Sequence, residues 1–90
     1  MSLKLVVLSS PRAHTCQQVA HRLIERAGKA ETQQVGGAAF LVETDVEASD
    51  VRDWLAVHLA PEDTLLVVEF EHWSSRGPGV DTAWLHRRGH

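Results

Sequence analysis

The stretch from Ala38 to Glu71 constrains the fold most. It reads AAFLVETD, then VEASDVRDWLAVHLAPE, then DTLLVVEFE: a strand, an amphipathic helix and a strand with very short connections. Val51, Trp54, Leu55, His58 and Leu59 fall at helical spacing, while Glu47, Asp50 and Asp53 gather near the positive end of that helix. The same order of parts occurs earlier, where LKLVVL precedes a helical run from about Arg12 to Ala27. A chain built from such units folds as an open sheet with helices packed against it.

LKLVVL, residues 3 to 8, is a nearly continuous apolar run, which predicts a central strand. Ser9, Ser10 and Pro11 break it, with Ser10 as helix cap and Pro11 in the first turn. Cys16, Val19, Ala20, Leu23 and Ala27 form the apolar stripe of the first helix, and Gly28 closes it. Residues 29 to 35 are polar and weakly strand-like, as suits an edge. Gly36-Gly37 then supplies the positive φ angles of a tight hairpin into the next strand, where Phe40 and Val42 share one face and Ala39 and Leu41 the other. Pro61 ends the second helix and Asp63 turns the chain into TLLVVEF.

The order β-α-β-β-α-β defines an α+β, ferredoxin-like sandwich: a four-stranded antiparallel sheet with two helices on one face. Right-handed crossovers put the first and third strands in the middle and the second and fourth at the edges. Residues 1–71 make this domain, and residues 72–90 form a C-terminal extension that adds a strand, packs on the sheet or reaches a second subunit.

Ninety residues with a hydrophobic fraction of 43% suit one small globular domain, which self-association would help to complete. The apolar run of the first strand is too short to span a bilayer, and Lys4 and Ser9 bound it where a signal peptide would continue. A cytoplasmic location without membrane contact is therefore expected. A single cysteine, Cys16, excludes an internal disulfide and a CxxC zinc site.

The net charge of −3 conceals a polarity. Residues 1–30 carry five cations against Glu25, giving +4; residues 31–71 carry ten acids against Arg52, giving −9; residues 72–90 carry three arginines against Asp81, giving +2. The basic flanks form the surface that a phosphate backbone would contact, at Arg12, Arg22, Arg26, Arg76, Arg87 and Arg88. A dipolar surface that aids solubility or self-association is the plainer account of the same pattern.

Among chemically capable residues, Ser9 and Ser10 lie near His14, a serine–histidine proximity without a nucleophile-elbow sequence, so capping is the simpler role. Glu43, Asp45 and Glu47 alternate at a strand end in the manner of a solvated rim. His14 and His21 sit two helical turns apart, too far for one metal without further ligands; no metal site is assigned. Trp73 and Trp84, with Leu85, fall outside the minimal sandwich and are expected to bury area in a subunit interface.

The run FLVETDVEASDVRDWLAVHLAPEDTLLVVE resembles the corresponding part of SinR-like small proteins, relatives of the CRISPR-associated adaptation nuclease. The likeness rests on Thr44-Asp45, Val51-Arg52-Asp53, Leu55, Asp63 and Leu65 to Val68, and on Ala83-Trp84-Leu85 in the extension. It implies a ferredoxin-like homodimer and contact with nucleic acid. In those nucleases the first strand ends in an acidic metal ligand; this chain has Leu8-Ser9-Ser10 there, and two serines are poor ligands for a hard cation. The favoured reading is a non-catalytic dimeric binding or assembly module without a cofactor. Two alternatives stand beside it: a magnesium-dependent nuclease in which Asp45 or another carboxylate replaces the missing acid, and a ligand-sensing or protein-binding module with no nucleic-acid role.

Overall fold

Strand β1 (Ser2–Ser9) carries Leu3, Val6 and Leu8 into burial on alternating sides, and a strand buried on both faces must lie inside a sheet. The computed structural model describes residues 2–90 and places β1 between β3 (Ala39–Thr44) and β4 (Thr64–Phe70), with β2 (Thr32–Val35) outside β3. The order β2-β3-β1-β4 is antiparallel throughout, with Val6 opposite both Phe40 and Val67. Helices α1 (Thr15–Ala27) and α2 (Ala48–Ala56) connect these strands and complete the ferredoxin-like α+β sandwich.

One core lies between the sheet and the two helices. Val6, Leu8, Phe40 and Val42 meet Val19 and Leu23 of α1 and Val51 and Leu55 of α2, all buried. The opposite residues of the same strands, Leu3 and Leu41, meet Trp84 and Leu85 of a third helix, α3 (Thr82–Arg87). Residues 72–90 thus run as a loop into a short helix laid across the outer sheet face; among the three roles open to the extension, packing on the sheet is the one seen within one chain.

Several local expectations are corrected. Helix α1 starts at Thr15, three residues beyond the expected start, with His14 at its cap position and no side-chain cap bond; Pro11 lies in the bend before it. Ser10 serves elsewhere, as described below. Only Gly36 of the glycine pair has a positive φ, at 63°. Helix α2 stops at Ala56, so His58 and Leu59 follow it in a turn, although Leu59 still packs on the helix-side core. Gly28 follows the last residue of α1, as expected, but with φ 105° and ψ 149° it is extended rather than left-handed helical; the positive φ and the Glu31 carboxylate, which an added Cβ would strike, both require glycine there.

Lys4 lies on the helix side of β1, fully buried. Its ammonium donates to Ser2 Oγ at 2.7 Å and to the Thr44 carbonyl at 3.0 Å, and pairs with Glu69 Oε1 at 2.9 Å. Three donors find three acceptors, which is what a lysine needs in order to be buried charged. Glu69 is held below the ordinary carboxylate range by the hydrogen bond from Lys4, then by that from Ser2.

Candidate functional site

The outer sheet face is where the structure leaves chemistry unspent. Its cover, the 72–90 segment, is fixed at one side of the sheet. Asp81 caps α3 by accepting from the Trp84 amide at 3.2 Å, and its own amide donates to Gln33 Oε1 of β2 at 2.6 Å. Trp84 Nε1 donates to the Ala30 carbonyl at 2.7 Å. Arg88 donates to the same carbonyl at 2.6 Å and to Glu43 Oε1 at 2.7 Å, while its guanidinium sits 5.0 Å from the centre of the Trp84 ring. His90 Nε2 meets the other Glu43 oxygen at 2.7 Å. Burial works to raise the Glu43 pKa, but the hydrogen bonds from His90 and Arg88 outweigh it, and the carboxyl titrates below its usual range.

This anchoring covers the β2–β3 half of the face and leaves the β4 side open. Val7 is 38% exposed, Leu66 55% and Val68 36%. Leu66 is the register partner of Val7, and Val68 that of Leu5, so the three exposed side chains form one strip across β1 and β4. The sheet and the loop preceding α3 border a half-open hollow of about 340 Å³, which shares Val68 with the strip and is lined by Leu5, Leu41, Val68 and Phe70 of the sheet and by Trp73. Trp73 Nε1 donates to the His90 carbonyl at 3.1 Å, which holds the ring over this hollow.

The residues singled out for interface contact divide. Trp84 and Leu85 are buried within the chain against Leu3 and Leu41. Trp73 is half-buried and keeps accessible surface. The apolar residues that remain open, Leu66 and Val68, stand in the sequence only as part of an apolar edge strand; their exposure depends on how far the extension reaches across the sheet.

The arginines also divide. Arg12 pairs with Asp63 and donates to the His58 carbonyl at 3.0 Å. Arg22 donates to the Trp54 carbonyl at 3.2 Å and pairs with Glu25 on α1, lowering the Glu25 pKa. Arg88 is engaged as described. Arg26, in the last turn of α1, and Arg76 and Arg87, in the loop before α3 and in α3, are exposed. Arg22 and Arg26 belong to the helix layer and Arg76, Arg87 and Arg88 to the opposite side of the sheet, so the six do not form one continuous surface on a single chain.

Ser10 Oγ donates to Asp63 Oδ1 and accepts from the Arg12 amide at 3.2 Å. Asp63 also accepts from the Ala60 amide at 2.8 Å. Its pKa is lowered, first by the Ala60 amide and then by Ser10, against the opposing effect of burial. A carboxylate satisfied from three directions is a weak base, so this cluster ties the β1–α1 loop to the α2–β4 turn and does not activate Ser10. His14 is exposed and makes no hydrogen bond to Ser10. Ser9 faces Thr64 at the end of the β1–β4 ladder. Asp45 lies beyond Thr44, which pairs with Ser2, so it sits at the other end of β1, roughly 20 Å from Ser9 and Ser10 at the rise of an extended strand. Among the described residues no three His, Cys, Asp or Glu side chains group to hold a metal ion. No helix of the described residues is long and apolar enough to cross a membrane.

The fold and the open outer face define the class: a ferredoxin-like sandwich with one sheet face half covered by its own C-terminal segment. Comparison with protein-family models, curated proteins and solved structures finds no match to this chain.

Proposed function

We propose that this chain is a dimeric ferredoxin-like binding or assembly module, in which two copies meet through the open half of the outer sheet face. The carrying observation is the strip of Val7, Leu66 and Val68, three large aliphatic side chains in register on adjacent strands and more than one-third exposed. Water gains when such a patch is covered, and a second copy presents a self-complementary surface through a two-fold axis. The resemblance to SinR-like proteins and the CRISPR-associated adaptation nuclease supports the same arrangement.

Nucleic acid is the partner this reading favours. Arg76 and Arg87 support it: both are exposed, both belong to the outer-face side, and neither is committed to a carboxylate among the described residues. Titrating duplex DNA at rising salt tests the contact. The expected result is binding that weakens steeply with salt, because phosphate contacts release counterions, and that falls further in Arg76→Ala/Arg87→Ala and in the dimer-breaking Leu66→Glu. Absence of binding at low salt would remove nucleic acid from the proposal and leave assembly alone.

A further inference from the structure

We propose that the hollow beneath the loop before α3 is a binding site for a neutral, two-ring aromatic small molecule carrying one polar group. This goes beyond the dimer reading and does not rest on it, since every lining residue comes from one chain.

Size, charge and the unused polar atoms select the ligand. An apolar cavity of about 150 Å³ takes up benzene, so about 340 Å³ suits a fused or linked pair of rings. No Asp, Glu, Lys or Arg lines the hollow. A charged ligand would lose hydration there with no counter-charge to replace it, whereas a neutral one loses little. Leu5, Leu41, Val68 and Phe70 of the strands and the Trp73 side chain line it, and two aromatic rings among aliphatic side chains favour an aromatic ligand over a flexible chain. Trp73 has spent its N–H on the His90 carbonyl, so it offers the ligand only apolar ring. His72, Ser74 and Ser75 also line the site and make no hydrogen bond among the described residues; they are the donors and acceptors left for a hydroxyl or amide.

The test is a titration of isotope-labelled full chain with 2-naphthol, followed by amide and indole NMR shifts. Saturable shifts are expected at Leu5, Val68, Phe70, Ser74 and the Trp73 indole, with little change in α1. Naphthalene-2-sulfonate, the same rings with a fixed negative charge, is expected to bind at least tenfold more weakly. Val80→Phe, which narrows the hollow from its loop wall and lies outside the Val7, Leu66 and Val68 strip, should weaken 2-naphthol at least tenfold while the α1 spectrum stays unchanged. Should that variant misfold, Ser74→Ala/Ser75→Ala provides the second arm, with a several-fold loss. Binding is expected to survive in Leu66→Glu, so failure of the dimer and failure of the ligand site are separable. Non-saturable shifts, shifts centred on α1 and α2, equal affinity for the sulfonate, or binding lost in Leu66→Glu would each overturn the assignment.

Discussion

Arg88 Nη1 donates to Glu43 Oε1 at 2.7 Å, joining side chains 45 residues apart and locking the C-terminal segment to the sheet. Glu43 is only 8% exposed, so this contact and the one from His90 are what make a buried carboxylate on the outer face tolerable. The half of the face they cover becomes a second core. The other half, with Val7, Leu66 and Val68, stays open in the single chain.

Removing that lock should cost stability and free the segment. Arg88→Ala leaves Glu43 with His90 alone, at an expected cost of about 1–3 kcal/mol in urea unfolding. Proteolysis in the 72–81 loop should accelerate in the same variant.

Acid should act through the same carboxylate. The folded pKa of Glu43 is depressed, so its contribution is complete above the unfolded value of about 4.3 and disappears as pH falls through the lower folded value. Unfolding midpoints measured from pH 7 down to pH 3 should fall in the acid range, and Glu43→Gln should flatten that fall. An equally steep fall in Glu43→Gln would assign acid sensitivity elsewhere.

Lys4 should tolerate loss of charge better than loss of bulk. Lys4→Met keeps the buried stem and gives up the bonds to Ser2 and Thr44, whereas Lys4→Ala also opens a cavity. The expected cost is about 2–4 kcal/mol for alanine and clearly less for methionine, read from thermal or urea unfolding.

Thr15 offers a gain. Its side chain is fully buried and its hydroxyl has no partner among the described residues. Thr15→Val removes an unsatisfied polar atom at nearly constant shape, and stability should rise by up to about 1 kcal/mol.

The strand–helix order and the sheet order were legible because apolar spacing reports which side of each element is covered. Phe40 and Val42 did separate from Ala39 and Leu41. Contacts made by pairing distant polar groups left no such trace. Lys4 reads as a charged interruption of an apolar run, and its burial depends on Thr44 and Glu69 brought beside it by the sheet. Ser10 has a cap's composition, yet Asp63 takes its hydroxyl and α1 begins later. Trp84 and Leu85 were legible as apolar residues outside the minimal sandwich; that their cover is Leu3 and Leu41 of the same chain follows only from the path of the extension.

The most direct test of the dimer is the solution mass by sedimentation equilibrium at about 100 µM, on the wild-type chain and on Leu66→Glu. One chain has a mass of 10.0 kDa. The account predicts a wild-type mass of two chains, and for Leu66→Glu, whose side chain is 55% exposed in the single chain, a single-chain mass with a cooperative unfolding transition at a midpoint lowered by the lost association. A wild-type chain that sediments as a monomer, or a dimer that Leu66→Glu leaves intact, would contradict it.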